Sequence, residues 1–319
     1  MRIECQAPEG AGGIWPLLFV APYTLENIAP ERFEELVPRI AGATLYLDDS
    51  PRFRAAARAS SKEMWMTRGL AEATWCVSFA YYSFRTALEA GGLRGGVSLD
   101  PATNPQIRTA LAVLREGVSA AADDRYVNWD GLPTPVPPSQ ISPDSSLEAK
   151  AGEMALCALG FVLQHELAHV TLGHVPSGDA EWTLEQEKDA DDFAVRWILS
   201  SAPTTTDAEA RAVGKRGWGI VIATALLTAR RLQRLRQGIA PAPVEEQSHP
   251  QPYDRLDRAV QHESVRESAL LTETLKSLAC AALVPHIRLE SLPLRDGPYE
   301  DYAELYQTCL DLLADQFVM

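Results

Sequence analysis

The sequence predicts an α+β fold that is mostly helical, with a small α/β part on its N-terminal side. Strand-like apolar runs occur early, at 15–21 (WPLLFVA) and 43–48 (ATLYLD), mixed with helical stretches. A proline-rich break follows at 131–146 (GLPTPVPPSQISPDSS), where prolines without an amide donor forbid a helix. Beyond the break the pattern reads almost wholly helical. These observations divide the chain into an N-terminal α/β subdomain, 1–130, a linker, 131–146, and a helical domain, 147–319.

A long helix is expected over 69–90 (GLAEATWCVSFAYYSFRTALEA), closed by Gly91 and Gly92, with Trp75, Phe79, Tyr82 and Phe84 in the core. After the linker a helix starts at Ser145 or Ser146, either of which can cap it, and runs to Gly173. Its stretch MALCALGFVL, 154–163, is apolar on every face, the mark of a helix packed on all sides. A second helix opens at Thr183, where T-x-x-Q to Gln186 resembles a capping box, and ends before Pro203. A third covers 207–237, a fourth runs from near Pro252 to before Pro285, and 300–316 reads as a last amphipathic helix.

Composition excludes some functions. With 29 Lys plus Arg against 43 Asp plus Glu, the formal charge is −14, and such a surface repels phosphate backbones, so no nucleic-acid partner is expected. Cys5, Cys76, Cys157, Cys280 and Cys309 are scattered without a C-x-x-C pair, which reads as reduced thiols of a cytoplasmic protein. The start, MRIECQAPEGAGG, carries no run like a secretory signal. The most apolar stretch, Trp218 to Ala229, falls short of the ~20 residues a bilayer span needs, so no membrane partner is expected.

The stretch HELAHVTLGH, 165–174, holds three of the chain's six histidines. His165 and His169 stand four apart on a helix and point to one face, where two neutral imidazoles can bind one zinc ion at ~2.1 Å. Glu166 projects about 100° round from His165, beside the metal, where its carboxylate can deprotonate a zinc-bound water. The other reading, two core histidines on a buried helix, is costly, because two imidazoles and a carboxylate on the most apolar helix need strong partners.

Catalytic zinc takes a third protein ligand. His174 and Glu187 are the candidates. The H-E-x-x-H-x-x-G-x-x-H pattern is not met, since the glycine stands at 173 and the histidine at 174. If the two helices fold back antiparallel around HVPSGDAEW, His169 lies four residues before Gly173 and Glu187 four after Thr183, each ~6 Å in from the turn. The count repeats one turn deeper for His165 and Asp191, so Asp191 can accept the second ring N–H of His165. Register therefore favours Glu187, with His174 as the alternative.

H-E-x-x-H followed by E-x-x-A-D-x-x-A, here Glu187, Ala190, Asp191 and Ala194, resembles the gluzincin branch of zinc metallopeptidases. HELAHVTLGH, then EKDADDFA, then SHPQPYDRL at 248–256 resemble the phage-exclusion Lit peptidases of bacteria, as does the tryptophan- and tyrosine-bearing helix before the linker. The likeness covers 150–260 well and the N-terminal part weakly; phage-repressor-cleaving regulators share the first two blocks. It implies zincin-like catalytic helices, Zn2+ as cofactor, and a cytoplasmic endopeptidase acting in phage defence by abortive infection. The family's target class is a host protein, translation elongation factor Tu. By the same resemblance His165 and His169 match ligands, Glu166 the catalytic base, and His174 a further histidine without an assigned role.

In SHPQPYDRL, His249, Tyr253 and Arg255 are candidate donors to the oxyanion of a hydrolytic transition state, against a structural loop with Arg255 paired to an acid. His262 and His286 read as surface or core histidines. Two rivals stand beside the endopeptidase: a regulatory metallopeptidase that cleaves a repressor, and a binding protein that keeps its metal without catalysis.

Overall fold

The protein is described from a computed structural model that covers residues 1–5, 13–91, 101–137, 146–175, 182–199, 206–239 and 252–262, with 276, 279, 283, 304, 307–309 and 311 besides. It is mostly helical, with one four-stranded sheet on the N-terminal side.

The sheet contains β1 (Arg2–Cys5), β2 (Thr44–Asp48), β3 (Ala55–Arg58) and β4 (Glu63–Thr67), in the order β1-β2-β4-β3. β1 and β4 flank β2 in parallel, and β3 returns antiparallel to β4. Alternation decides its faces: Leu45, Leu47, Met64 and Met66 point into the core, while Tyr46 and Trp65 stack on the other side.

Residues 15–21 are helical, not a strand: α1 (Trp15–Val20) leads into a 3-10 turn at Ala21–Tyr23. Leu17 and Leu18 are both buried beside Trp15 and Ala21, a spacing that only a helix brings to one face. Pro16 presets the first turn. The short α2 (Thr24–Asn27) and α3 (Phe33–Ile40) precede the sheet's inner strands. α4 (Arg68–Gly91) buries Trp75, Phe79 and Phe84, while Tyr82 is half-buried; Tyr81 is the tyrosine that goes fully inside. α5 (Pro105–Ala122) packs along α4.

α6 (Leu147–Leu172) is the central helix, in contact with α4, α8 and α7. The Ser146 hydroxyl caps its start by accepting from the Ala149 amide, and Gly173, at φ 67°, ends it in the left-handed region. α7 (Leu184–Leu199) opens with the reciprocal Thr183–Gln186 box. Its far end is anchored by cations on terminal carbonyls: Arg32 reaches Arg196 O and Arg216 reaches Ile198 O, both at 3.2 Å. α8 (Asp207–Arg236) starts at a second box, Thr206 with Glu209. Gly219 lets it meet α6, since a Cβ there would lie 2.3 Å from the Cys157 carbonyl oxygen.

α9 (Pro252–Gln261) is shorter than the expected helix to Pro285. The His262 amide bonds Ala259 O, three residues back, a tightened turn that closes the helix, and positions 276, 279 and 283 are helical again. In the tail, 304, 307–309 and 311 are helical and the remainder of 300–316 lies outside the described residues. Trp218 to Ala229 lies within α8, most of it buried. Among the described residues α6 is long and apolar enough to cross a membrane, and it lies mostly inside the core. One apolar core draws on residues from Ile14 to Cys309.

Candidate metal centre

The last two turns of α6 bury an unusual set of side chains: Gln164, His165, Glu166 and His169, with His174 just past the helix end. α7 faces them with Glu187 and Asp191, also buried. Burial strips these groups of water, so each needs a protein partner or an ion.

His165 and His169, one turn apart, turn Nε2 toward each other at 3.2 Å. Glu187 closes the triangle, with Oε2 3.5 Å from His165 Nε2 and Oε1 3.5 Å from His169 Nε2. Ligands bound tetrahedrally at ~2.1 Å are separated by about 3.4 Å, and each of these contacts between neighbouring side chains is close to that spacing. Among the described residues His165, His169 and Glu187 form a group able to hold a metal ion. Two imidazoles and a carboxylate suit zinc, with an open fourth position.

The other ring nitrogens are engaged too. His165 Nδ1 is 2.9 Å from Asp191 Oδ1, the pairing that the antiparallel register predicts. His169 Nδ1 faces His174 Nδ1 at 2.8 Å, so His174 stands at the edge of His169 opposite the triangle and outside the ligand group. Trp182 lies flat on the His169 ring, 4.3 Å between centroids and 12° from parallel.

Arg255 enters from α9. Its guanidinium pairs with Glu187 Oε2, and its Nε lies 3.0 Å from Asp191 Oδ2. It therefore occupies the acids that flank the histidines, which is the paired reading of that residue. A second link, Arg258 to Asp192 at 2.9 Å, joins the same two helices. Burial works to lower the Arg255 guanidinium, but Asp191 and Glu187 foremost, and then Glu166, raise it above its ordinary range. Glu166 thus shares the charge cluster. Tyr253 lies in α9 with its side chain outside the described set, His249 and His286 are outside the described residues, and His262 follows the end of α9.

Without metal, the two histidines titrate in opposite senses. Burial would lower His165, but Asp191 and Glu187 outweigh it and raise it to about 10. Burial, with the neighbouring His165 charge second, pushes His169 down to about 2. The metal-free centre therefore holds His165 as an imidazolium, with one more proton than the neutral ring that a metal needs. Burial also raises the thiols of Cys76, Cys157 and Cys309, the last two to about 12, so none of these is a nucleophile at neutral pH.

The sequence profile of Peptidase U49 matches residues 65–275. The chain belongs to the Peptidase U49 family. That span includes the helix at 69–90, both blocks on α6 and α7, and SHPQPYDRL, the segments that resemble the Lit peptidases. Within the curated proteins, the Cell death peptidase of Escherichia coli (strain K12) is 25% identical over 215 residues, 65% of this chain and 69% of that protein. No solved structure matches. As a U49 peptidase the chain acts on protein substrates.

Trp182 and the His169–His174 contact escape sequence reasoning. A tryptophan one residue before a helix cap has no chemical signature, and the direction of His174 depends on the left-handed turn at Gly173.

Proposed function

We propose that this U49 peptidase is a zinc-dependent endopeptidase, with His165, His169 and Glu187 as ligands and Glu166 as general base. The observation that carries the reading is the convergence of three buried side chains, the two histidine Nε2 atoms 3.2 Å apart and each 3.5 Å from one oxygen of the Glu187 carboxylate, with a glutamate adjacent in sequence to His165. Bound there, zinc supplies a Lewis acid and an open position for water or a carbonyl. Glu166 takes the proton of the attacking water and passes it to the departing amide nitrogen. Asp191 orients His165 through its Nδ1, and Arg255 holds Glu187 and Asp191 in place while balancing their charge. His249, Tyr253 and Arg255 remain proposed donors to the oxyanion.

We further propose action on a host protein in phage exclusion. The name of the E. coli relative, Cell death peptidase, and the likeness to Lit peptidases support this, and translation elongation factor Tu is the first substrate to try. The division into 1–130, 131–146 and 147–319 belongs to the same proposal, with the catalytic helices in the last part.

Glu166→Gln tests the mechanism, because it removes the base and leaves the three ligands. The variant should fold and bind one zinc per chain while cleavage falls on the order of a hundredfold or more. Comparison of whole-proteome termini between bacteria expressing the two forms should reveal the substrate. Undiminished cleavage by Glu166→Gln overturns the mechanism, and identical termini under infection favour a binding protein.

A further inference from the structure

We infer that His174 is a positioning residue: its Nδ1 accepts the Nδ1–H of His169 and so leaves His169 Nε2 free of a proton for the metal. The inference rests on the zinc reading above and goes beyond it by giving this histidine a role.

The two candidate ligand histidines are built alike but oriented by different chemistry. His165 gives its Nδ1 to a carboxylate, Asp191, which when ionised can only accept. That contact leaves the His165 tautomer no choice. His169 gives its Nδ1 to another imidazole, which can accept or donate. If His174 donates, His169 carries its proton on Nε2 and cannot ligate. If His174 accepts, the Nε2 lone pair faces His165 Nε2 and Glu187 Oε1 at 3.2 and 3.5 Å. Zinc binding thus requires His174 to be the acceptor, in the tautomer with its proton on Nε2.

Three features hold that contact. Gly173 at φ 67° turns the chain back, and the amides of Gly173 and His174 both bond the carbonyl of His169. Trp182 covers the His169 ring face, so the ring's edges stay aimed at His174 on one side and at Glu187 on the other. Both histidines are buried, which excludes water as a substitute acceptor. The separation of 2.8 Å between the two Nδ1 atoms is a hydrogen-bond length, shorter than the ~3.4 Å between atoms sharing one tetrahedral zinc. His174 therefore acts through His169 and is not itself a ligand.

The test uses the full chain with H174L and H174Q. The leucine removes the acceptor, whereas the glutamine restores one in its side-chain oxygen. Competition titration with zinc should show H174L weakened about 10- to 100-fold at unchanged stoichiometry, with H174Q recovering most of the loss. Cobalt absorption should remain tetrahedral in both, and circular dichroism checks that they fold. In wild type labelled with 15N-histidine and loaded with zinc, long-range proton–nitrogen spectra should place the His169 proton on Nδ1 and the His174 proton on Nε2. Equal affinities for all three proteins, equal losses in H174L and H174Q, or a changed cobalt spectrum with loss of stoichiometric binding in H174L would each overturn the role. A wild type that binds no zinc overturns the metal reading itself, before any variant is compared.

Discussion

The N-terminal half of α6 and its last two turns lie in the same helix but are stabilised in different ways. From Ala149 to Leu163 the buried residues are nearly all apolar and meet α4, α8 and the N-terminal helices. There any side chain of suitable volume can gain the burial energy, because dispersion and the hydrophobic effect have no direction. From Gln164 to His174 polar side chains are buried beside Leu167, Ala168 and Val170, and the polar ones depend on partners at particular angles: Leu25 O for Gln164 Nε2, Asp191 for His165, His174 for His169. A helix can thus be anchored by one half and carry chemistry in the other. Substitutions in the two halves should have separable consequences.

The largest effect expected is from Glu187→Ala, on α7 facing the polar half of α6. It removes a charged ligand, and elemental analysis after zinc-replete expression should fall from about one zinc per chain to near none. A full zinc complement in that variant would break the contrast and reopen the ligand set.

In the apolar half Leu159, fully buried, is the matching probe. Leu159→Ala should cost about 2–5 kcal/mol of stability through lost burial and a residual cavity. Denaturant unfolding measures it, while zinc affinity of the folded protein should stay the same. A Leu159→Ala protein that keeps its stability but loses metal would show that the halves are not separable.

Asp191→Ala, also on α7, removes a partner of the polar half. The His165 Nδ1–H loses its acceptor, so metal affinity should fall about 10- to 100-fold with stoichiometry intact. Because Arg255 also loses one of its two acids, the metal-free protein should unfold at lower denaturant as well.

The last expected effect, the smallest per step, concerns pH. In the metal-free centre Asp191 and Glu187 overcome the effect of burial and hold His165 protonated up to about 10, while buried His169 is already neutral at any pH above about 2. Below the upper value an entering cation must displace the His165 proton. Apparent zinc affinity should therefore rise with pH, by roughly tenfold per unit between about 6.5 and 8.5. The same raised value means that the His165 ion pairs stabilise the metal-free fold fully below its ordinary 6.5 and lose that contribution as pH climbs through about 10. A flat affinity profile would show that His165 carries no proton to displace.

Much of the site-bearing architecture was determined by the sequence alone, because its signals are local. Ser146, Gly173, and Thr183 with Gln186 mark helix ends through hydrogen bonds that span three or four residues, and they lie where the chain pattern indicates. The four-residue steps from His165 to His169 and from Glu187 to Asp191 put each pair on one helix face for the same reason. Tertiary structure decided what local signals leave open. Residues 15–21 are apolar enough for a strand or a buried helix, and only packing against the core selected the helix. α9 stops at Gln261 although no proline follows until Pro285. Arg255 could have faced a substrate or an acid, and it meets Glu187 and Asp191 because α9 lies against α7. His174 and Trp182 flank His169 through a left-handed turn and ring orientations set by neighbours distant in sequence. Hydrogen-bond direction and ring orientation depend on all the atoms that surround a side chain, and in the sequence those atoms are not yet neighbours.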